Sequence, residues 1–114
     1  MDALKMTLLF DYYGEMLTDR QKMCIDLRHN QDLSLAEIAQ ELNVSRQGIY
    51  DNLSRAEALL VEMEEKTGCI RRDLQCRKAA NEIIAAAERL CDFPDADVVN
   101  LAQQILLAAK RLEE

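Results

Sequence analysis

Along residues 3–13, Leu4, Leu8 and Tyr12 recur every four positions, the spacing of one face of an α-helix. Gly14 and the Glu-Met-Leu after it interrupt the pattern. A second helix is expected from Thr18, because T-D-R-Q places Gln21 where a capping box needs it. Cys24, Ile25 and Leu27 supply its buried side, and it should end near His29 and Asn30, with Asn30 suited to a left-handed residue. Ser34 opens a third helix with a second box, S-L-A-E, closed by Glu37. The apolar stripe of that helix is Leu35, Ile38, Ala39 and Leu42. Asn43, Val44 and Ser45 make a tight connection, with Asn43 the residue for positive φ.

From Ser45 the apolar seam runs far: Ile49, Leu53, Ala56, Leu60 and Met63 are four, three, four and three residues apart. The acidic Glu62, Glu64 and Glu65, followed by Thr67 and Gly68, mark its end. Residues 72–92 resume the pattern with Cys76, Ala80, Ile83, Ala87 and Leu90 until D-F-P-D at 92–95 breaks it. A last helix is expected over about 97–112 with Val98, Leu101, Ile105, Leu106, Ala109 and Leu112. Its short connection makes an antiparallel helical hairpin. The chain shows no internal repeat and no low-complexity tract. The expected architecture is all-α: a helix-turn-helix module over residues 1–68 with a long recognition helix, then a hairpin over 69–114. That hairpin either packs on the first part or forms a dimer interface.

Composition agrees with long helices: 49% of residues are hydrophobic and only 4% aromatic, with three Gly, one Pro and no Trp. No apolar run approaches the roughly 20 residues that cross a bilayer, and the N-terminus has no signal-peptide pattern, so a cytoplasmic protein without membrane insertion is expected. Cys24, Cys69, Cys76 and Cys91 form no C-x-x-C pair and His29 stands alone, which predicts reduced thiols, no metal site and no cofactor. Neither a glycine-rich phosphate loop nor a Ser/His/Asp set is present, and His29 near a helix end reads as a capping or surface residue, so no enzyme is expected. Residues 1–70 carry seven basic and thirteen acidic side chains, net −6, and residues 71–114 seven and eight, net −1. Duplex binding rests on neutralising phosphates, and an acidic module is poorly equipped for it.

The informative stretch is S-L-A-E-I-A-Q-E-L-N-V-S-R-Q-G-I-Y-D-N-L-S-R-A, residues 34–56. Ala39 is small where two helices cross, Asn43 tolerates the turn, and Ile38, Leu42, Val44 and Ile49 are the buried anchors at the offsets a helix-turn-helix requires. On duplex DNA, Arg46 and Gln47 would face base edges, with Tyr50 and Asp51 one turn on and Ser45 and Arg55 near phosphates. For Asp51 a plain solvated charge is the better reading. The same geometry also serves as a packing unit that docks proteins. Gly48 is unusual, since a glycine inside a helix costs about 1 kcal/mol relative to alanine.

These residues resemble the YlxM family of small helix-turn-helix proteins from bacteria. The likeness rests on F-D-Y-Y, L-T-D-R-Q, D-L-S-L-A-E-I-A-Q-E-L-N-V-S-R-Q and Y-D-N-L-S-R-A-E, and covers about residues 1–70. The motif is also similar to region four of bacterial sigma factors through V-S-R and L-S-R-A, although Asp51 and Asn52 stand where a sigma factor is more basic. The YlxM resemblance implies a gene often beside those of the signal recognition particle GTPase and its receptor, and an accessory or regulatory role in that pathway. The partners implied are DNA or signal recognition particle RNA, or the targeting GTPase itself. Apolar stripes on at least five helices exceed what a three-helix module needs, and a homodimer through the N-terminal or the C-terminal helices is expected.

Overall fold

The computed structural model describes residues 2–113. The protein is all-α, with no strand among those residues. Helix α1 spans Ala3–Tyr13, α2 Asp19–Ile25, α3 Leu35–Leu42, α4 Arg46–Thr67, α5 Cys69–Leu90 and α6 Ala96–Arg111. A 3₁₀ turn at Gly14–Met16 follows α1, and a wide π turn at Asp26–Asn30 continues α2.

Local capping signals explain most of the starts. The Asp2 carboxylate accepts the Lys5 amide at 2.9 Å. Thr18 and Ser34 each close a full capping box, with Gln21 and Glu37 reaching back to the cap amides. At α6 the Asp95 carboxylate accepts the amides of Asp97 and Val98.

The chain divides into two compact units, Met1–Ile70 and Arg71–Glu114. The core of the first is built from Met6, Leu9, Tyr13, Leu17, Cys24, Ile25, Leu27, Ile38, Ala39, Ile49, Leu53, Ala56, Leu60 and Ile70. The helices α1, α2 and α3 all pack on α4. The expected boundary at Gly68 therefore moves two residues along, because the Ile70 side chain belongs to the first core. Gly68 takes the left-handed conformation (φ 64°), and α5 starts at Cys69, three residues before the apolar pattern resumes.

Two other expectations are corrected. In α1 the buried line is Met6, Leu9 and Tyr13, while Leu4 is 73% exposed and Tyr12 also faces solvent. The helix is apolar nearly all round, so its 3-4 spacing fits either line, and the deeper side chains are those that meet α4. The left-handed residue after α2 is Asp32 (φ 56°), not Asn30. Asn30 lies inside the π turn, where its amide donates to Asp26 Oδ1 at 2.8 Å, and the Gln31 amide closes the turn on the Asp26 carbonyl at 3.1 Å.

In the second unit, the five residues 91–95 join α5 to α6. Ala80 and Ala87 on α5 and Ala102 and Ala109 on α6 are the buried positions there. Of the apolar stripes expected, Cys76, Ile83, Leu101, Ile105 and Leu112 are exposed. None of the described helices is long and apolar enough to cross a membrane.

Candidate nucleic-acid interface

The turn between α3 and α4 has the geometry its sequence asks for. Asn43 sits at φ 55°, ψ 48°, and the Ala39 carbonyl accepts the amides of both Asn43 and Val44. A non-glycine residue there is tolerated because the short Asn side chain suits the left-handed region. Ala39 and Ile38 are buried, and Leu42 and Val44 pack half-buried against the core. Ser45 then caps α4: its Oγ accepts the Gly48 amide at 3.0 Å and its carbonyl accepts that of Ile49 at 3.1 Å.

With Ile49, Leu53, Ala56 and Leu60 buried, the rotation of about 100° per residue sends Gln47, Asp51 and Ser54 straight outward. Arg46 and Tyr50 lie on one flank and Arg55 on the other. All are exposed, Tyr50 by 54%. The five candidate residues Ser45, Arg46, Gln47, Tyr50 and Arg55 are thus all exposed, but they do not share one side: Ser45 is the cap, and Arg46 and Arg55, nine residues apart, lie about half a turn from each other around α4. Gln47 does not stand alone: its Nε2 donates to Asp51 Oδ1 at 3.1 Å. That pairing presents an amide and a carboxylate together, a surface suited to donors as well as acceptors. Ser45 uses its lone pair for the cap, which leaves its hydroxyl proton available to a phosphate oxygen.

Gly48 turns out to lie in the first turn of α4, at its third position, and not in the helix interior. A Cβ there would sit 3.1 Å from Ser45 Oγ, close enough to press on the capping hydroxyl. The glycine also has no side chain to return to the Ser45 amide, as Gln21 and Glu37 do in the two boxes.

Two polar contacts behind this face were not foreseen from the pattern. His29, expected as a cap or surface residue, is half-buried and donates through Nε2 to Glu57 Oε1 on α4 at 3.0 Å. Glu64, read only as part of an acidic run ending α4, points inward. Its Oε1 accepts the Tyr13 hydroxyl at 2.6 Å and the Ile70 amide at 3.0 Å. The Tyr13 hydroxyl also lies 2.6 Å from Thr67 Oγ1. Burial, and then the Glu64 carboxylate, push the Tyr13 phenol above its ordinary value. The signal for Glu64 was its spacing: it follows Leu60 by four residues, on the buried side of α4.

A cleft lined by Met6, Phe10, Ile25 and His29 has a volume of about 30 Å³, room for a water molecule. Among the described residues no three His, Cys, Asp or Glu side chains are placed to hold a metal ion.

A short α3, a left-handed turn and a capped second helix with a solvent-facing polar N-terminal half define a helix-turn-helix protein. The chain belongs to the UPF0122 family, whose model, described as "putative helix-turn-helix protein, YlxM / p13 like", matches residues 1–92. It is similar to a UPF0122 protein of Acetivibrio thermocellus, 43% identical over 107 residues, covering 94% of this chain and 86% of that protein. A UPF0122 protein of a Thermoanaerobacter species is 39% identical over 99% of this chain and 95% of its own length. One from Listeria welshimeri is 41% identical over 89% and 91%.

Proposed function

We propose that this helix-turn-helix protein is a non-catalytic regulatory or accessory factor of the cytoplasm. It acts in the signal recognition particle pathway by binding nucleic acid through the N-terminal half of α4. The observation that carries this reading is the exposed set Arg46, Gln47 and Tyr50 at the start of a capped helix behind a left-handed turn, with Arg55 exposed on its other flank. Arg46 and Gln47 carry the donors that read base edges, Tyr50 offers a ring for stacking, and Ser45 and Arg55 reach phosphates. The link to the targeting pathway rests on the YlxM likeness.

A second reading is supported by charge. The first unit carries a net −6, and Asp51 stands in the middle of the outward row, held by Gln47. Such a face repels bare phosphate and complements a basic protein surface, so the alternative is docking onto the targeting GTPase with no independent nucleic-acid binding.

Fluorescence anisotropy separates the two. Labelled signal recognition particle RNA and a mixed duplex DNA pool are titrated with the protein at low and physiological salt, with Arg46→Ala/Gln47→Ala as control. Binding that the double variant loses supports the first reading, and the preferred probe identifies the nucleic acid. Two arginines on the face set a log–log salt slope of about −2 on duplex DNA. No binding of either probe at low salt removes the first reading and leaves protein docking.

A further inference from the structure

A carboxylate in the middle of a face that meets phosphates lowers its affinity, and α4 carries one. Asp51 is exposed and lies straight outward from the buried line of Ile49, Leu53, Ala56 and Leu60. Gln47, four residues earlier on the same row, donates from Nε2 to Asp51 Oδ1 at 3.1 Å and restrains the carboxylate. Arg55, four residues later and at the spacing of an ion pair, forms none with Asp51 among the described residues. A neutral amide therefore holds the carboxylate, its charge stays intact, and the Arg55 guanidinium stays apart. Gly48, three residues before Asp51, adds no side chain beside it. A Cβ there would meet no side chain but that of Ser45, so this flank of the carboxylate is open.

Given nucleic-acid binding through α4, on which this rests, the positions sort by angle. A helix with its side chains is about 10–12 Å across, and the major groove of B-form DNA is about 12 Å wide. A helix in that groove turns its outward row to the base edges and its flanks to the two phosphate walls. Gln47 and Asp51 stand in the row, about 6 Å apart along the axis and so within two base steps. Arg46 and Arg55, about half a turn from each other, face opposite walls. The deep, narrow groove of A-form RNA admits no such reading.

Base edges differ in what they offer a carboxylate. Guanine presents N7 and O6 and thymine presents O4, all acceptors that repel it. Adenine presents its amino group beside the N7 acceptor, and cytosine presents its N4 amino group alone. A carboxylate has about four acceptor sites, of which the Gln47 amide takes one. We propose that Asp51 determines the specificity of α4 by accepting a hydrogen bond from the N4 amino group of a cytosine in the major groove of duplex DNA, with Gln47 holding it in place. Its charge weakens binding to every duplex, and a site with cytosine at that position recovers the loss.

Selection of a pool of random duplexes by the full chain tests this, followed by anisotropy of the selected duplex and its single-base variants at low salt. One position of the selected duplex should require cytosine, with guanine there binding about tenfold more weakly. Asp51→Asn removes the charge and keeps the shape. It should tighten unselected duplexes and abolish the preference for cytosine at that position, moving it toward adenine. Gln47→Ala, which releases the carboxylate, should reduce the same preference. Arg55→Ala should weaken all duplexes alike and leave the preference where it was. An Asp51→Asn variant that tightens every duplex by one factor, the cytosine site included, shows a plain solvated charge. That result overturns the proposal while duplex binding through α4 stands. Binding of signal recognition particle RNA alone, or of no duplex at low salt, overturns it together with the reading of α4 as a helix for duplex DNA.

Discussion

Replacing Tyr13 by Phe removes one oxygen and leaves the ring to fill its place in the core. The lost hydroxyl donates at 2.6 Å to the half-buried Glu64 carboxylate, and Tyr13 is only 6% exposed. A hydrogen bond to a charged acceptor contributes about 1.5–3 kcal/mol. The Ile70 amide, which also donates to Glu64 Oε1, still supplies the carboxylate, so the low end applies, about 1.5 kcal/mol. In a unit of this size that corresponds to about 6–12 °C in melting temperature.

The pH dependence adds an independent check. Burial and the Glu64 charge raise the phenol above its ordinary value of 10.0. The folded state therefore holds the proton more tightly than the unfolded state does. The contribution is complete below pH 10 and is lost as pH rises through 10 toward the folded value. Urea unfolding followed by circular dichroism should show wild type ahead at neutral pH, with the gap to Tyr13→Phe narrowing above pH 10. A variant within about 0.5 kcal/mol of wild type, with a gap that ignores pH, would show that this hydroxyl is neither desolvated nor paired.

Other outcomes follow from single contacts. Asn43→Ala places a Cβ-bearing residue without local hydrogen bonding at φ 55° and should cost about 1–2 kcal/mol, while Asn43→Gly should be close to neutral in thermal melts. Gly48→Ala should fail to deliver the gain of about 1 kcal/mol expected of a helical glycine, because the new methyl presses on Ser45 Oγ. In a Ser45→Ala background the same substitution should deliver it, and a double-mutant cycle measures the difference. Leu60→Ala, at a fully buried position of α4, should cost about 2–5 kcal/mol in urea unfolding. Thiol reagents should label exposed Cys76 promptly and buried Cys24 only as the first unit opens, since burial also pushes the Cys24 thiol up. Equal labelling rates would contradict the packing of α2.

Features that live in a few adjacent residues were legible from the chain. The boxes at Thr18 and Ser34, the left-handed Asn43 and the terminating Gly68 each depend on chemistry within one turn, and the structure has them where the spelling puts them. The stripe of α4 was equally plain because its polar positions are unambiguous. Features that depend on which neighbour arrives were not. An α1 apolar on most sides offers Leu4 and Met6 on equal terms until α4 packs against it. Glu64 looks like a solvated charge until Tyr13 comes from 51 residues away. The positions of the candidate interface on α4 were readable as an exposed row, but the hold of Asp51 on Gln47 and the squeeze between Gly48 and Ser45 appear only with side chains in place.

The caps have a consequence for how the chain folds. Helices α1, α2, α3, α4 and α6 each begin on a side chain in their own N-cap residue, so each can nucleate from local sequence before any distant contact forms. Such local topology belongs to the fast end of folding, microseconds to milliseconds, and the single proline, Pro94, lies outside the first unit. Helix α5 is the exception. Its first amides are taken by Thr67 and Glu64, and Glu64 is held in turn by Tyr13 at the end of α1. The start of α5 is therefore a late event that waits for α1 and α4 to meet, and amide exchange at Cys69 and Ile70 should keep time with the opening of the first unit.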